Sequence, residues 1–277
     1  MSSHVDVNRR VLPGFHPSLG YALIYVTLLV LVPMAAGVIK ASSLSLAEFW
    51  AAVSSDRAIA AYELTLGVSV ASAAINVLLG GLVAWVLVRY EFPLKGLLDS
   101  LVDFPFALPT AVAGLVYSSL LVESGWYGRY LVPLGIQGAY SRLGIVIVLV
   151  FIGFPFVVRT LQPVLEGLER DVEEASACLG AGRFETFRRI TLPSIAPALI
   201  TGFALAFARS LGEYGSVVFI SGNMPYKTEI APVLIVARLE EFAYAEATAI
   251  AVVLLIISFT TLFAINLIER WSTRHHG

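Results

Sequence analysis

Residues 164–193 read VLEGLERDVEEASACLGAGRFETFRRITLP, thirty residues of mostly polar chain set between two long apolar runs. Acids crowd the first half and arginines the second, with Gly180 and Gly182 between them. The stretch from Asp171 to Gly180 predicts a short helix. Acids fill its first turn, where the helix dipole favours negative charge, and a glycine sits just past its end. Val172, Ala175 and Leu179 fall on one face at helical spacing. After the Ala181-Gly182 break, Arg183 to Arg189 predicts a second turn or two, with Phe184 and Phe187 on one side. Two stubby helices at an angle, with small residues at their junction, make a rigid knob. A plain connection between spans in lipid needs no such knob, so its presence suggests docking to a water-soluble partner. Stiffness matters there, because a floppy loop would absorb a push rather than pass it on.

The flanking chain is built for lipid. Hydrophobic residues make up 58% of the 277 residues and charged ones 14%, and mean hydropathy is +0.83, whereas soluble domains carry about a quarter charged residues. A hydrocarbon core about 30 Å thick needs about 20 apolar residues of helix, which satisfies its own backbone. Six segments qualify: Ser18–Ile39, Leu64–Val88, Leu97–Leu121, Leu143–Pro163, Ile195–Val218 and Thr248–Ile268. With both termini inside, the cytoplasmic segments hold ten Lys or Arg, including Arg9, Arg10, Arg188 and Arg189, against six outside. Cytoplasmic loops accumulate such residues, which favours this orientation. The first span is long for a secretion signal and is expected to stay as an uncleaved anchor.

Absences narrow the function. The lysines are Lys40, Lys95 and Lys227, and none follows a glycine, so the chain has no phosphate-cradling loop of its own. His4, His16, His275 and His276 all lie near the termini, so no span offers a metal or haem pair, and no metal or cofactor is expected. Cys178 is alone, which rules out an intrachain disulfide. Net charge is −2 and gives no sign of nucleic-acid binding. A pore, a carrier or the membrane half of a multi-chain machine remains.

The polar stretch resembles the EAA loop of ABC-importer permeases. Glu174-Ala175-Ser176 is followed by three residues, Gly180, nine residues, Ile190, one residue and Leu192-Pro193; serine replaces the family's second alanine. The likeness extends to Phe104-Pro-Phe-Ala-Leu-Pro-Thr-Ala-Val-Ala-Gly114, to 155–163 (PFVVRTLQP) and to Arg209-Ser-Leu-Gly-Glu-Tyr-Gly215, where the chain is similar to the T-type permeases of sulfate/thiosulfate importers. The resemblance implies a type I ABC importer permease fold, all-α, with six transmembrane helices and one permease domain over 1–277. It implies that residues 164–193 couple to a separate ATPase through Glu174, Ala175, Ser176, Gly180, Arg183, Ile190, Leu192 and Pro193. The implied partners are ATP-binding subunits, a second permease chain, lipid and an extracytoplasmic sulfate-binding protein that meets the outer segment from Ser221 to Tyr244. The implied location is a bacterial or archaeal cytoplasmic membrane. No covalent chemistry is expected in this chain. Molybdate and tungstate permeases share several of these elements and imply a homodimer instead of a heterodimer. A self-sufficient ion-coupled carrier using Asp103, Arg209 and Glu213 is the competing class.

Charges inside the apolar runs are the remaining candidates. Arg209 and Glu213, expected near the middle of the fifth span, are four residues apart and can pair on one helix face. Such a pair either lines an oxyanion's path or locks helix packing. Arg209, Ser210, Glu213 and Thr110 are therefore candidates for the translocation pathway. Asp99 and Asp103 are accounted for by the positive end of the third span's helix. Pro105 and Pro109 should kink that span beside Thr110 and Gly114, as a gate lining or as a packing accommodation. Gly80-Gly81 predicts a close helix contact, and Trp126 with Tyr127 an interfacial anchor.

Overall fold

The computed structural model describes residues 15–168 and 170–274; Arg9, Arg10, His4, His275 and His276 lie outside them. Five helices among the described residues are long and apolar enough to cross a membrane. These are α1 (Pro17–Ala41), α3 (Asp56–Arg89), α8 (Arg142–Glu166), α10 (Arg183–Leu211) and the apolar part, Tyr244–Glu269, of α13 (Tyr244–Arg274). Shorter helices complete the order: α2 (Leu46–Val53), α4 (Lys95–Val102), α5 (Phe104–Ala107), α6 (Thr110–Leu121), α7 (Gly128–Leu131), α9 (Arg170–Cys178), α11 (Val217–Ile220) and α12 (Ala231–Glu240).

Two predicted spans differ. The fifth, Ile195–Val218, lies in a helix that starts earlier, at Arg183, and stops at Leu211. The third is broken up. It is not one helix over Leu97–Leu121 but three pieces, α4, α5 and α6, with joints at Asp103 and at Leu108–Pro109. Proline drives Leu108 out of the helical region, to φ −86° and ψ 127°, because its ring crowds the residue before it. The twelve residues of α6 span only about 18 Å at 1.5 Å each, less than the hydrocarbon core.

The centre of the bundle is α3, α8 and α10. Val157, Ala206, Phe207 and Ala73 are fully buried among them. The predicted close contact at Gly80 is present: a methyl added there would sit 3.1 Å from Val157 Cβ, tighter than ordinary van der Waals contact. Small residues at crossings let backbones approach where lipid offers no hydrophobic drive. Two further clusters extend this core. Leu64, Ile145, Leu149, Val217 and Ile230 form one end, and Leu87, Val102, Leu161, Leu165 and Ile195 form the end next to the polar stretch.

Ends are fixed by caps and ion pairs. Ser55 caps α3, and Arg57 forks onto Glu229 at 2.8 and 2.7 Å, with the Glu229 side chain buried. Thr65 accepts the Ala231 amide at 2.8 Å, which satisfies a donor at the start of α12. The segment from Ser221 to Tyr244 is therefore packed into the bundle rather than a surface loop. Ala231, Val233 and Leu234 are buried in it. Before α2, Ser45 and Glu48 form a reciprocal capping box, and the Ser45 hydroxyl and amide hold the Glu48 carboxyl below its ordinary range. Trp126 and Tyr127 are exposed, as an interfacial anchor requires.

Candidate functional site

The polar stretch folds as a hairpin on the end of α8. Its first helix is α9, and Gly180 closes it at φ +87°, a left-handed conformation that costs a side chain dearly. The Ala181 amide then donates back to the Ser176 carbonyl at 3.1 Å. The second arm differs from expectation. Arg183 to Arg189 is not a separate stubby helix but the first turns of α10, continuous through a π-helical turn at Phe187–Thr191. One extra residue in that turn keeps the helix unbroken while re-aiming it.

Each face of the hairpin has a distinct job. Ser176 is buried and shares a hydrogen bond with Thr186 at 2.9 Å, which ties the two arms together. Glu173 accepts from Arg89 Nη2 at 2.7 Å and, more weakly, from Thr191 at 3.3 Å. Arg89 lies over the Trp85 ring at 5.2 Å, and Trp85 meets Phe187 edge to face at 6.0 Å. The hairpin is thereby seated on the end of α3, leaving a cleft of about 570 Å³ lined by Trp85, Glu174 and Arg183.

The opposite face is bare. Val172, Ala175 and Leu179 are all exposed, Leu179 at 89%, and Phe184 beside them is 76% exposed. Phe184 and Phe187 thus part company, one outward and one onto α3. Glu174 and Arg183 are exposed, Ile190 and Pro193 are half-buried, and Leu192 is 37% exposed. Sequence reasoning missed Glu173, Arg89 and Trp85. Arg89 and Trp85 are four residues apart on α3, a spacing that hints at the stacked pair, but their partners lie 84 residues or more further along the chain.

A second site forms where two helices break. α10 ends at Leu211, so Arg209 lies in its last turn and Glu213 just beyond, not in mid-span. Gly212 and the Glu213 carboxylate, which accepts the Ser216 amide at 2.9 Å and hydroxyl at 3.0 Å, stop the helix there. The pair still forms: Arg209 Nη1 donates to Glu213 Oε2 at 2.6 Å, with Glu213 buried and Arg209 about a third exposed. Thr110, at the start of α6, packs against Gly215 so closely that a methyl on Gly215 would overlap its Oγ1. Ser210 is buried and bonds Ser72 of α3 at 3.1 Å, a helix-to-helix contact. The structure thus brings Thr110 to the Arg209–Glu213 corner and turns Ser210 onto α3.

Asp99 and Asp103 also correct an expectation. They are not in the first turn of a helix; Asp99 is inside α4 and Asp103 follows its end. Both are held by Arg159 of α8, at 2.7 and 2.6 Å. Among the described residues, no group of His, Cys, Asp and Glu is arranged to hold a metal ion.

A bundle of membrane-length helices with a stiff polar hairpin standing off one end is the architecture of the membrane half of an ABC transporter. The fold matches a chain in a crystal structure of a bacterial alginate ABC transporter, with a TM-score of 0.75, 18% identity, and coverage of 92% of this chain and 93% of that one. It also matches a chain of an inward-facing methionine ABC transporter, with a TM-score of 0.59, 16% identity, and coverage of 83% and 99%. A family model described as the inner membrane component of binding-protein-dependent transport systems matches residues 76–275. The chain belongs to that family, and is a multi-pass membrane protein. It is 48% identical over 262 residues to the sulfate transport system permease protein CysT of Salmonella typhimurium, covering 95% of each chain. It is 49% identical over 257 residues to CysT of Synechococcus elongatus, covering 93% of this chain and 92% of that one.

Proposed function

We propose that this chain is the permease subunit of an ATP-driven importer of sulfate or thiosulfate, passing the anion between itself and a second permease. The cargo comes from the sulfate permeases it resembles at 48 and 49% identity. The observation that carries the coupling half of the proposal is the two-faced hairpin. One side is tied to α3 through Glu173 and Arg89, while Val172, Ala175 and Leu179 are exposed on the other.

An apolar face held rigidly at the end of a span suits a cleft on an ATP-binding subunit. Closure of two such subunits on ATP would push the hairpin, and the push would travel into α3, α8 and α10. Glu174, Ala175, Ser176, Gly180, Arg183, Ile190, Leu192 and Pro193 form the coupling segment within a single permease domain. In this role the hairpin and both termini are cytoplasmic. A binding protein delivers cargo at the other side. The T-type likeness favours a related but different second permease chain.

Arg209, Glu213 and Thr110 mark the translocation path. Arg209, about a third exposed, is the group that would attract a divalent anion, and Glu213, already bonded to it, keeps that attraction weak enough for release. The chain reconstituted with its ATPase, second permease and binding protein should take up radiolabelled sulfate only with ATP, and excess thiosulfate should compete while molybdate competes poorly. Uptake by this chain alone, driven by an ion gradient, would overturn the proposal.

A further inference from the structure

The Arg159 guanidinium of α8 is used on all three nitrogens. Nε and Nη2 take the two Asp103 oxygens at 2.8 and 2.6 Å. Nη1 donates to Asp99 Oδ1 at 2.7 Å and to Gln162 Oε1 at 2.6 Å, and Nη2 also reaches the Asp99 main-chain carbonyl at 2.8 Å. Gln162 closes the ring by donating to Asp99 Oδ1 at 2.9 Å. A planar fork bonded in this way fixes orientation as well as distance, which the point charge of a lysine does not.

Apart from edge-to-face contacts of Phe104 with Phe151 and of Phe106 with Phe156, what the fork grips is lightly held. α4 turns Leu97, Leu98 and Leu101 outward, and Val102 is its one buried residue. α5 is a single turn, and the Leu108–Pro109 joint follows it directly. Beyond that joint lies Thr110, pressed against Gly215 beside the Arg209–Glu213 pair.

The position of Arg159 along α8 connects this grip to the hairpin. It lies seven residues before the helix end at Glu166, about 10 Å at 1.5 Å per residue. It also sits midway between Pro155 and Pro163, both inside the helix. Each proline removes a backbone hydrogen bond and softens the helix around it, so the stretch bearing Arg159 can tilt as a unit when the hairpin end moves.

We propose that Arg159 is a positioning residue for transport: it carries movement of the hairpin end of α8 to α4 and α5, and so moves the Leu108–Pro109 joint and Thr110. The proposal rests on the coupling role given above to residues 164–193.

The test uses the whole transporter in proteoliposomes, with ATP hydrolysis and sulfate uptake measured on the same preparation. Arg159→Gln should still assemble and hydrolyse ATP, but uptake per ATP should fall roughly tenfold, within the range of an energetic coupling between sites. Arg159→Lys should recover part of it, and the reciprocal pair Arg159→Asp with Asp103→Arg more. If Arg159→Gln does not assemble, Asp103→Asn, which keeps the side chain's size, decides: uptake per ATP should again fall. Unchanged uptake per ATP in these variants, or hydrolysis and uptake falling together in step with thermal stability, overturns the proposal. A wild-type complex with no ATP-dependent uptake overturns the functional assignment itself, and this proposal with it.

Discussion

Arg89 at the end of α3 and Glu173 in α9 lie 2.7 Å apart, 84 residues distant in sequence, with the Arg89 side chain nine-tenths buried. This contact, backed by the Trp85 ring, decides which face of the hairpin is turned inward. Hydrogen bonds to charged groups are worth about 1.5–3 kcal/mol. Glu173→Ala should therefore loosen the seat, seen as faster amide exchange over residues 170–180 and weaker retention of the ATPase in mild detergent. Glu174→Ala, at an exposed position, should leave exchange unchanged, since exposed substitutions stay within about 0.5 kcal/mol. Equal effects from the two would remove Glu173 from its seating role.

Gly180 is the second test of the hairpin's stiffness. At φ +87° a Cβ is strained whatever the space around it. Gly180→Ala should cost about 1–2 kcal/mol and make 170–182 more sensitive to limited proteolysis. Gly182, at φ −73° and in open space, should accept alanine without that change.

The contact between Thr110 and Gly215 predicts a rescue. Gly215→Ala should lower thermal stability of the complex and its uptake, because the new methyl meets Thr110 Oγ1. The next nearest atom is Thr110 Cβ at 3.5 Å, an ordinary contact, so adding Thr110→Ala should restore stability. A double variant no better than Gly215→Ala alone would contradict the close approach of α6 to this corner.

Arg209→Leu leaves Glu213 buried with only Ser216 to bond it, and breaking a buried pair from one side costs about 3–5 kcal/mol, here an upper bound because Arg209 is partly exposed. The double variant Arg209→Leu with Glu213→Leu should melt above the single one. Transport separates the two roles of the pair: uptake lost even in the stable double variant supports a path-lining role, and uptake retained assigns the pair to packing alone.

Much of this was legible in the sequence, and the gaps have physical causes. Apolar runs declared the membrane helices because period and length are local properties, and Gly180 declared the end of α9. In the third span Pro105 and Pro109 declared a bend, but the uniformly apolar composition suggested one kinked helix, and it did not register that the chain leaves the helix at Asp103 and at Leu108–Pro109. The partners of Asp99 and Asp103 were misread for a different reason. A carboxylate near a helix end has a sufficient local explanation, and Arg159 lies 60 residues away from Asp99. The Arg209–Glu213 pair was visible at its spacing, but the helix end between the two residues was not, since it depends on Ser216 bonding Glu213 and on Thr110 lying against Gly215.

The central claim is that the outward face of α9 receives the motor. Ala175→Arg puts a long charge on that face without touching the Glu173–Arg89 seat, and the measurement is ATP-driven sulfate uptake by the reconstituted complex after correct insertion is verified. The account predicts loss of bound ATPase and uptake near background. A variant that keeps its ATPase and imports at the wild-type rate would contradict it.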